Sequence, residues 1–490
     1  MTSLIDSAEI TVTGTTLISL LPALPEIYLT AAICVLLMAD VFFGDKNRGL
    51  APTLTLLILA GGAAVTLFYA NVQVRTLLFS ESYVADGLAV LLKLFGFMSM
   101  AVALFYSRAY LQRRGMMRGE YYVLALTALL GIFVMVSANS LLTVYIGVEL
   151  LSLSLYAMVA FERENGVAAE SAMKYFVLGA IASGMLLYGM SLIYGMTGTL
   201  MLDDLSAMAT GEPSLGVVLG LVFLVVAVAF KFGAVPFHMW VPDVYTGAPT
   251  GVTLFLSTLP KIASFALAFR LLAHGLGSVG ATWQDMLAPL AVLSMVFGNV
   301  VAIAQSNLKR MLAYSAIGNV GFILLGFVAG SEAGYEAALY YTIAYVIMTL
   351  GSFGVLVLAS RQGFEAEDLD HFKGLHKRDP LLALVMLALM FSTAGVPPFI
   401  GFWAKFNIFQ ALWLTGHFWL ILIAAAASVV GVFYYLRIVK IMYFDAPGEL
   451  PAGPSSGMAE RTVLALNGLA VLALGIVPNA LIQLCARAIG

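Results

Sequence analysis

The chain has 490 residues, 61% of them hydrophobic and only 10% charged, where soluble domains carry roughly 45–50% and 25%. That balance excludes a water-soluble globular protein, and a net charge of -3 points to no partner, nucleic acid included. The two cysteines, Cys34 and Cys485, fall in apolar segments without CxxC or other ligand spacing, which argues against disulfide, zinc and iron–sulfur chemistry.

Apolar runs near the roughly 20 residues that cross a bilayer recur from end to end. Their length and glycine content suit helices rather than barrel strands. The expected fold is an all-α polytopic membrane protein of about fourteen spans, near 17–43, 52–70, 87–107, 121–137, 140–161, 170–196, 216–240, 249–271, 284–304, 309–330, 335–360, 381–413, 417–443 and 461–484. The first basic residue is Lys46, so no positively charged leader region precedes the first span, which is expected to be retained. The longest gaps, near 198–216, 361–380 and 445–461, have no room for a Rossmann unit or a haem domain.

Basic residues alternate between the gaps. Lys46, Arg48, Arg108, Arg113, Arg114, Arg118, Arg163, Lys309, Arg310, Arg361, Lys373, Lys377, Arg378, Arg437, Lys440 and Arg461 fall in odd-numbered gaps, whereas the even ones hold only Arg75 and Arg270. By the positive-inside rule the odd gaps are cytoplasmic and both termini lie on the outer side. In a bacterium this is the inner membrane. Lys309 and Arg310 read as markers of the cytoplasmic boundary.

Five lysines remain inside the spans: Lys93, Lys174, Lys231, Lys261 and Lys405. A charge at a helix centre costs roughly 2.5–3.5 kcal/mol on insertion scales, so each needs a partner, water or an escape to the headgroups. Lys93, near a span end, is expected to snorkel, and Lys174 is open to either reading. Glu149 reads as the only acid well inside a span, about 14 Å along its helix from Ser140.

Lys231, Lys261 and Lys405 are set apart by proline. Pro236 follows Lys231, Pro260 directly precedes Lys261, and Pro397 and Pro398 precede Lys405. Proline frees a carbonyl four residues back, and broken helices survive at membrane depth only when buried in protein or lining a hydrated cavity. Prolines also kink helices merely for packing, but three coincidences with lysine point to a polar path through the middle of the protein. Burial and a neighbouring carboxylate act in opposite directions on a lysine's proton affinity, so Glu149 and Lys231 together suit a proton switch. His238, two turns from Lys231, suits a relay, since histidine titrates near about 6.5, and equally suits a satisfied histidine beside the break. Asp243, between two prolines in WVPDVYTG, reads as a turn residue.

The chain also resembles itself. At an offset of 166, SLLTVYIGVELLSLSLYAMVAF from Ser140 meets SNLKRMLAYSAIGNVGFILLGF from Ser306, and AESAMKYF meets YEAALYYT; GAVPF later meets AGVPPF. Matching elements five spans apart enter from opposite sides, as in transporters built from inverted repeats. The expected division is 1–118 (helices 1–3), 119–275 (first five-helix repeat), 276–445 (second) and 446–490 (helix 14), with helices 7 and 12 broken.

YIGVELLSL, KFGAVPFHMWVPDVYTGAPT, TLPKIASFAL, SNLKRMLAYSAIGNVGF and GVPPFIGFWAKF resemble the signatures of the antiporter-like membrane subunits of respiratory complex I and of Mrp-type sodium/proton antiporters. The opening LLPALPEIYLTAAICVLL, the fourteen spans without a long lateral helix, and the lysine in SAMKYFVLGA resemble the subunit N branch. The resemblance implies Glu149 and Lys231 as an interacting pair, Lys261 as the central connection, Lys405 as the residue exchanging protons with one side, and Lys174 and His238 as further members. It implies no cofactor in this chain, flavin and iron–sulfur clusters in partner subunits, and contacts with neighbouring antiporter-like and small membrane subunits, with lipids and with protons. A stand-alone cation/proton antiporter would use the same residues. A structural spacer would gain nothing from central lysines beside prolines.

Overall fold

The computed structural model describes residues 10–11, 17–44, 49–69, 75–207, 213–361, 363–447 and 457–490. Lys46 and Arg48, and parts of the gaps near 198–216 and 445–461, lie outside them. A small sheet joins β1 (Ile10–Thr11), β2 (Thr76–Leu78) and β3 (Tyr83–Ala85), with β1 parallel and β3 antiparallel to β2. Everything else regular is helical. The first half holds α1 (Leu24–Phe43), α2 (Leu50–Tyr69), α3 (Gly87–Arg113), α4 (Gly119–Val136), α5 (Leu141–Val159), α6 (Gly166–Thr197), the short α7 (Leu202–Ala207) and α8 (Leu215–Phe232). After an interruption come α9 (Trp240–Gly247), α10 (Thr250–Leu256), α11 (Leu259–Ala268) and a π-helical turn, Phe269–Gly275. The second half holds α12 (Gly280–Ile303), α13 (Leu308–Val328), α14 (Glu332–Ala359), α15 (Leu375–Arg378), α16 (Pro380–Ala394), α17 (Ile400–Leu414), α18 (Phe418–Phe444), α19 (Met458–Ile476) and α20 (Asn479–Ile489).

Among the described residues 13 helical stretches are long and apolar enough to cross a membrane. The pair α16 and α17, split at 395–399, accounts for the remaining predicted span. Two expected spans end early or late for local reasons. The run predicted over 216–240 stops as a helix at Phe232, because Gly233 turns left-handed at φ +77°, a conformation glycine adopts at no steric cost. The run 381–413 is cut the same way by Gly395 at φ +90°. Helix starts follow the polar residues that end each gap: Asp86, Ser140, Asn165, Ser214, Asn307, Ser331 and Asp379 all accept a backbone N–H of their own first turn.

Burial sorts the helices. The stretches Thr250–Gly275, Leu308–Val328 and Glu332–Ala359 are each 94% buried, against 17% for Leu20–Phe43 and Met458–Ile476. The first three are therefore the centre of the molecule, and the last two lie at its periphery. Close pairing of α4 with α5 depends on glycine: a Cβ at Gly131 would stand 2.5 Å from the Leu151 nitrogen. The pair α12 and α13 approaches as closely, a Cβ at Gly298 standing 2.5 Å from the Gly318 nitrogen.

Two charges are not where the sequence reading puts them. Lys93 does not snorkel; it is 2% exposed, 2.6 Å from Glu26 and 2.9 Å from the Tyr83 hydroxyl, to which it donates. Glu26 of α1, 8% exposed, is thus a buried acid inside a span, and the ion pair removes the reason for Lys93 to reach the headgroups. Arg270, counted with the even-numbered gaps, is 3% exposed because Asp86 pairs with it at 2.6 Å and the Val136 carbonyl accepts from it at 2.9 Å. Beside it, the Asp203 carboxylate joins Arg75 at 2.6 Å, His274 at 2.8 Å and Asn139 at 2.7 Å. Burial raises the pKa of Asp203, but these donors together outweigh it and hold the carboxyl well below its ordinary range.

Candidate functional site

A helix that stops inside apolar surroundings leaves its last carbonyls without partners. At the end of α8 those of Phe230, Lys231 and Phe232 are met one by one from other elements. Trp240 Nε1 donates to Phe230 O at 3.1 Å, Ser264 Oγ to Lys231 O at 3.0 Å, and Lys261 Nζ to Phe232 O at 2.6 Å. Lys261 is 2% exposed, and its charge faces the negative end of a helix dipole. Its place in α11 is set by Pro260 at the helix start, where a missing N–H costs nothing.

The other breaks have the same construction. Lys405 Nζ donates to Ala394 O, the last carbonyl of α16, at 2.9 Å, and to Ser428 Oγ at 2.8 Å, while lying 5.1 Å from the centre of the Phe322 ring. Lys309 Nζ donates to Ala248 O at the end of α9 at 2.9 Å, with Glu367 3.6 Å away. Lys309, in the first turn of α13, is 2% exposed.

Lys231 itself points to α5. Its Nζ donates to Ser152 Oγ at 2.6 Å, and the serine donates onward to Val148 O. Glu149, one turn before Ser152, has a buried Oε1 without a hydrogen-bond partner. The carboxylate and Lys231 are within electrostatic reach, but among the described residues they form no ion pair. Ser152, Lys231, Ser264, Tyr175 and Trp240 line a cavity of about 20 Å³ open to water centres, room for one water where about 10–15 Å³ suffices. Tyr175 and Trp240 stack at 4.7 Å to wall it.

His238 lies in the break after α8. Its Nδ1 is buried without a hydrogen-bond partner, and its ring edge meets Phe297 at 4.8 Å. Lys174 is 45% exposed and pairs with Glu170 at 2.9 Å and Asp243 at 3.0 Å. Asp243 also holds Arg310 at 3.0 Å, so this aspartate ties α6 and α13 to α9. The structure thus joins Lys231 and Lys261 through the end of α8, sets Lys405 at its own break, and places Lys174 on a separate surface cluster.

Several site residues carry no mark in the sequence reading. Ser152 and Ser264 stand three residues after Glu149 and Lys261, a same-face spacing on a helix that would have found them. A buried network around α13 had a weaker signal, polar residues within an apolar span. Ser315 bonds Tyr435 at 2.6 Å, and Asn319 accepts from Tyr341 at 2.7 Å and donates to Tyr435 at 3.3 Å. Tyr341 stacks on Phe322, beneath Lys405. Ser315 is the residue that the offset of 166 sets against Glu149.

A family model described as NADH:quinone oxidoreductase/Mrp antiporter, transmembrane, matches residues 138–431. The NADH-quinone oxidoreductase subunit N of Thiobacillus denitrificans is 54% identical over 473 residues, covering 96% of this chain and 97% of that protein; that of Nitrosomonas europaea is 52% identical with the same coverage. A chain of respiratory complex I from Thermus thermophilus with bound aureothin has a TM-score of 0.80 at 33% identity, covering 94% of this chain and 99% of that one. A chain of the Mrp complex from Dietzia sp. has a TM-score of 0.85 at 21% identity, covering 97% of each, a likeness of fold.

Proposed function

The chain belongs to the NADH:quinone oxidoreductase/Mrp antiporter family of transmembrane subunits, and from that premise we propose that it is a proton-translocating membrane subunit of an NADH–quinone oxidoreductase. The observation that carries this reading is the set of lysines held on interrupted helix ends, Lys261 on Phe232 O and Lys405 on Ala394 O, with Lys231 resting on Ser152. Protonatable groups at broken helices are what a proton path through a bilayer needs, and a spacer has no use for them.

In this reading the switch is the choice of Lys231 between two partners one turn apart on α5. A carboxylate beside an ammonium favours its charged form, so movement of Lys231 between Ser152 and Glu149 changes how firmly it holds its proton. The cavity beside Ser264 gives Lys231 room for one water, and Lys405 exchanges protons with one side of the membrane. The energy comes from redox partners that carry the flavin and iron–sulfur clusters. It lies in the bacterial inner membrane, with both termini outside.

Glu149→Gln keeps the size of the side chain and removes its charge. In assembled complex, quinone reduction by NADH and the proton gradient should fall together, because a blocked pump holds back the reaction coupled to it. NADH oxidation by an artificial acceptor, which needs only the hydrophilic partners, should be spared. Glu149→Asp should be milder. Normal pumping in the Gln variant would refute the reading, and purification without any redox partner would favour a stand-alone antiporter.

A further inference from the structure

The π-helical turn Phe269–Gly275 ends the span that carries Lys261, and two side chains four residues apart on it, Arg270 and His274, reach the corner between α4 and α5. Arg270 Nε donates to Val136 O, at the end of α4, at 2.9 Å, and its Nη1 lies 2.6 Å from Asp86, the cap of α3. His274 Nε2 lies 2.8 Å from Asp203 Oδ1 in the first turn of α7, and since an ionised carboxylate only accepts, the ring donates. Asp203 also accepts from Asn139 Nδ2 at 2.7 Å and Arg75 Nη2 at 2.6 Å. The short helix α7 sits directly on the turn: a Cβ at Gly275 would stand 2.8 Å from Leu202 Cδ2.

The corner itself is pinned by backbone bonds. Leu141 N–H donates to Leu200 O at 2.9 Å, Leu202 N–H to Asn139 O at 2.9 Å, and Asn139 N–H to Ser82 O at 3.0 Å, while Ser140 caps α5. The piece that starts α5 is therefore the piece that holds the end of the Lys261 span. Glu149 lies ten residues on from Asn139, about 15 Å along its helix, and Lys261 nine residues back from Arg270, about 14 Å along its own.

These two helices hold the end of α8 from different sides. From α5, Ser152 accepts Lys231 Nζ at 2.6 Å; from α11, Lys261 Nζ donates to Phe232 O at 2.6 Å and Ser264 Oγ to Lys231 O at 3.0 Å. Sliding α5 against α11 by one residue's rise, about 1.5 Å, would strain these contacts on one side of α8. We infer that Asp203 is a positioning residue for the Glu149, Lys231 and Lys261 set: through His274 and Asn139 it locks the Lys261 span to the start of α5 and keeps the two sides in register. The inference rests on the proton-translocating reading above, and it gives Asp203 no proton to carry.

The test uses the assembled complex in membrane vesicles, with Asp203→Asn, Asp203→Glu, His274→Ala, Glu149→Asp and Glu149→Gln. Asp203→Asn is nearly isosteric but loses the charge that holds Arg75 and His274, and should slow NADH-driven quinone reduction and pumping about threefold to tenfold. NADH oxidation by an artificial acceptor should be spared, and Asp203→Glu should recover part of the rate. The decisive reading is a double-mutant cycle. If Asp203 sets the register, the methylene of reach lost in Glu149→Asp should cost about threefold or more beyond its cost in wild type when Asp203→Asn is also present. A merely structural role would leave the two losses multiplying independently. If Asp203→Asn does not assemble, His274→Ala, which removes one link and leaves Arg75 and Asn139 on Asp203, should show the same coupling. Independent losses, or wild-type rates in the assembled Asp203 and His274 variants, with Glu149→Gln impaired, would overturn this inference alone. Normal pumping in Glu149→Gln would instead overturn the functional reading beneath it.

Discussion

Lys231 has two acceptors within one turn of α5, and it is Ser152 that holds it, at 2.6 Å, while Glu149 Oε1 stays buried without a hydrogen-bond partner. A hydrogen bond to a charged group contributes roughly 1.5–3 kcal/mol, enough to set which partner the lysine occupies. Ser152→Ala should therefore release Lys231 towards Glu149 and slow quinone reductase turnover of assembled complex about tenfold or more, since a difference of about 1.4 kcal/mol is a factor of ten. Ser152→Thr, which keeps the hydroxyl, should stay near wild type, and equal loss in both variants would make packing the cause. The spacing of Glu149 and Lys231 in the sequence cannot show this choice, because both partners lie on one face of one helix.

Three lysines, Lys261, Lys309 and Lys405, each close a helix end that another part of the chain has left open. This is why the broken elements tolerate apolar surroundings: every freed carbonyl that these lysines meet is paired with a charge of the right sign for the dipole. The restart of α17 is the tightest of these joints. A Cβ at Gly401 would lie 1.9 Å from Ser392 O, whose own hydroxyl accepts the Gly401 N–H at 3.1 Å. Gly401→Ala should destabilise by about 1–3 kcal/mol, the usual overpacking cost, and lower the melting temperature of the purified protein. Gly184→Ala, in the exposed middle of α6 with nothing within 4 Å, should be neutral or slightly stabilising. An equal drop for both would mean that the close approach at Gly401 is not the cause, since helix propensity favours Ala over Gly at either position.

On the scale of the molecule, Lys261 lies on one of the most buried spans, Glu149 and Lys231 lie on spans about half buried, and the outermost spans carry none of these residues. Thr250–Gly275, at 94% buried, is tied near one end by Glu365 and Lys309 and at the other by Arg270 on Asp86 and His274 on Asp203. A span anchored at both ends can move its middle only with its neighbours. The alternation of basic residues predicts that reporter fusions at Gly115 and Gly374 report cytoplasm; an outer-side signal from either would reverse the orientation.

Composition and hydropathy were enough to read an all-α membrane protein, because a chain in lipid must satisfy its backbone within helices. The prolines also marked the breaks, since Pro236 and Pro397 carry their backbone effects in any context, whereas the left-handed turns at Gly233 and Gly395 came only with the structure. The partners of the charges were not legible. Lys93 and Arg270 looked free or peripheral until folding brought Glu26 and Asp86 against them, across 67 and 184 residues of sequence respectively. Ser152, Glu365 and the Tyr341–Asn319–Tyr435 network have the same history. A lysine's need for a partner is a property of one residue and its solvent, whereas the identity of that partner is a property of packing, and only the tertiary structure decides it.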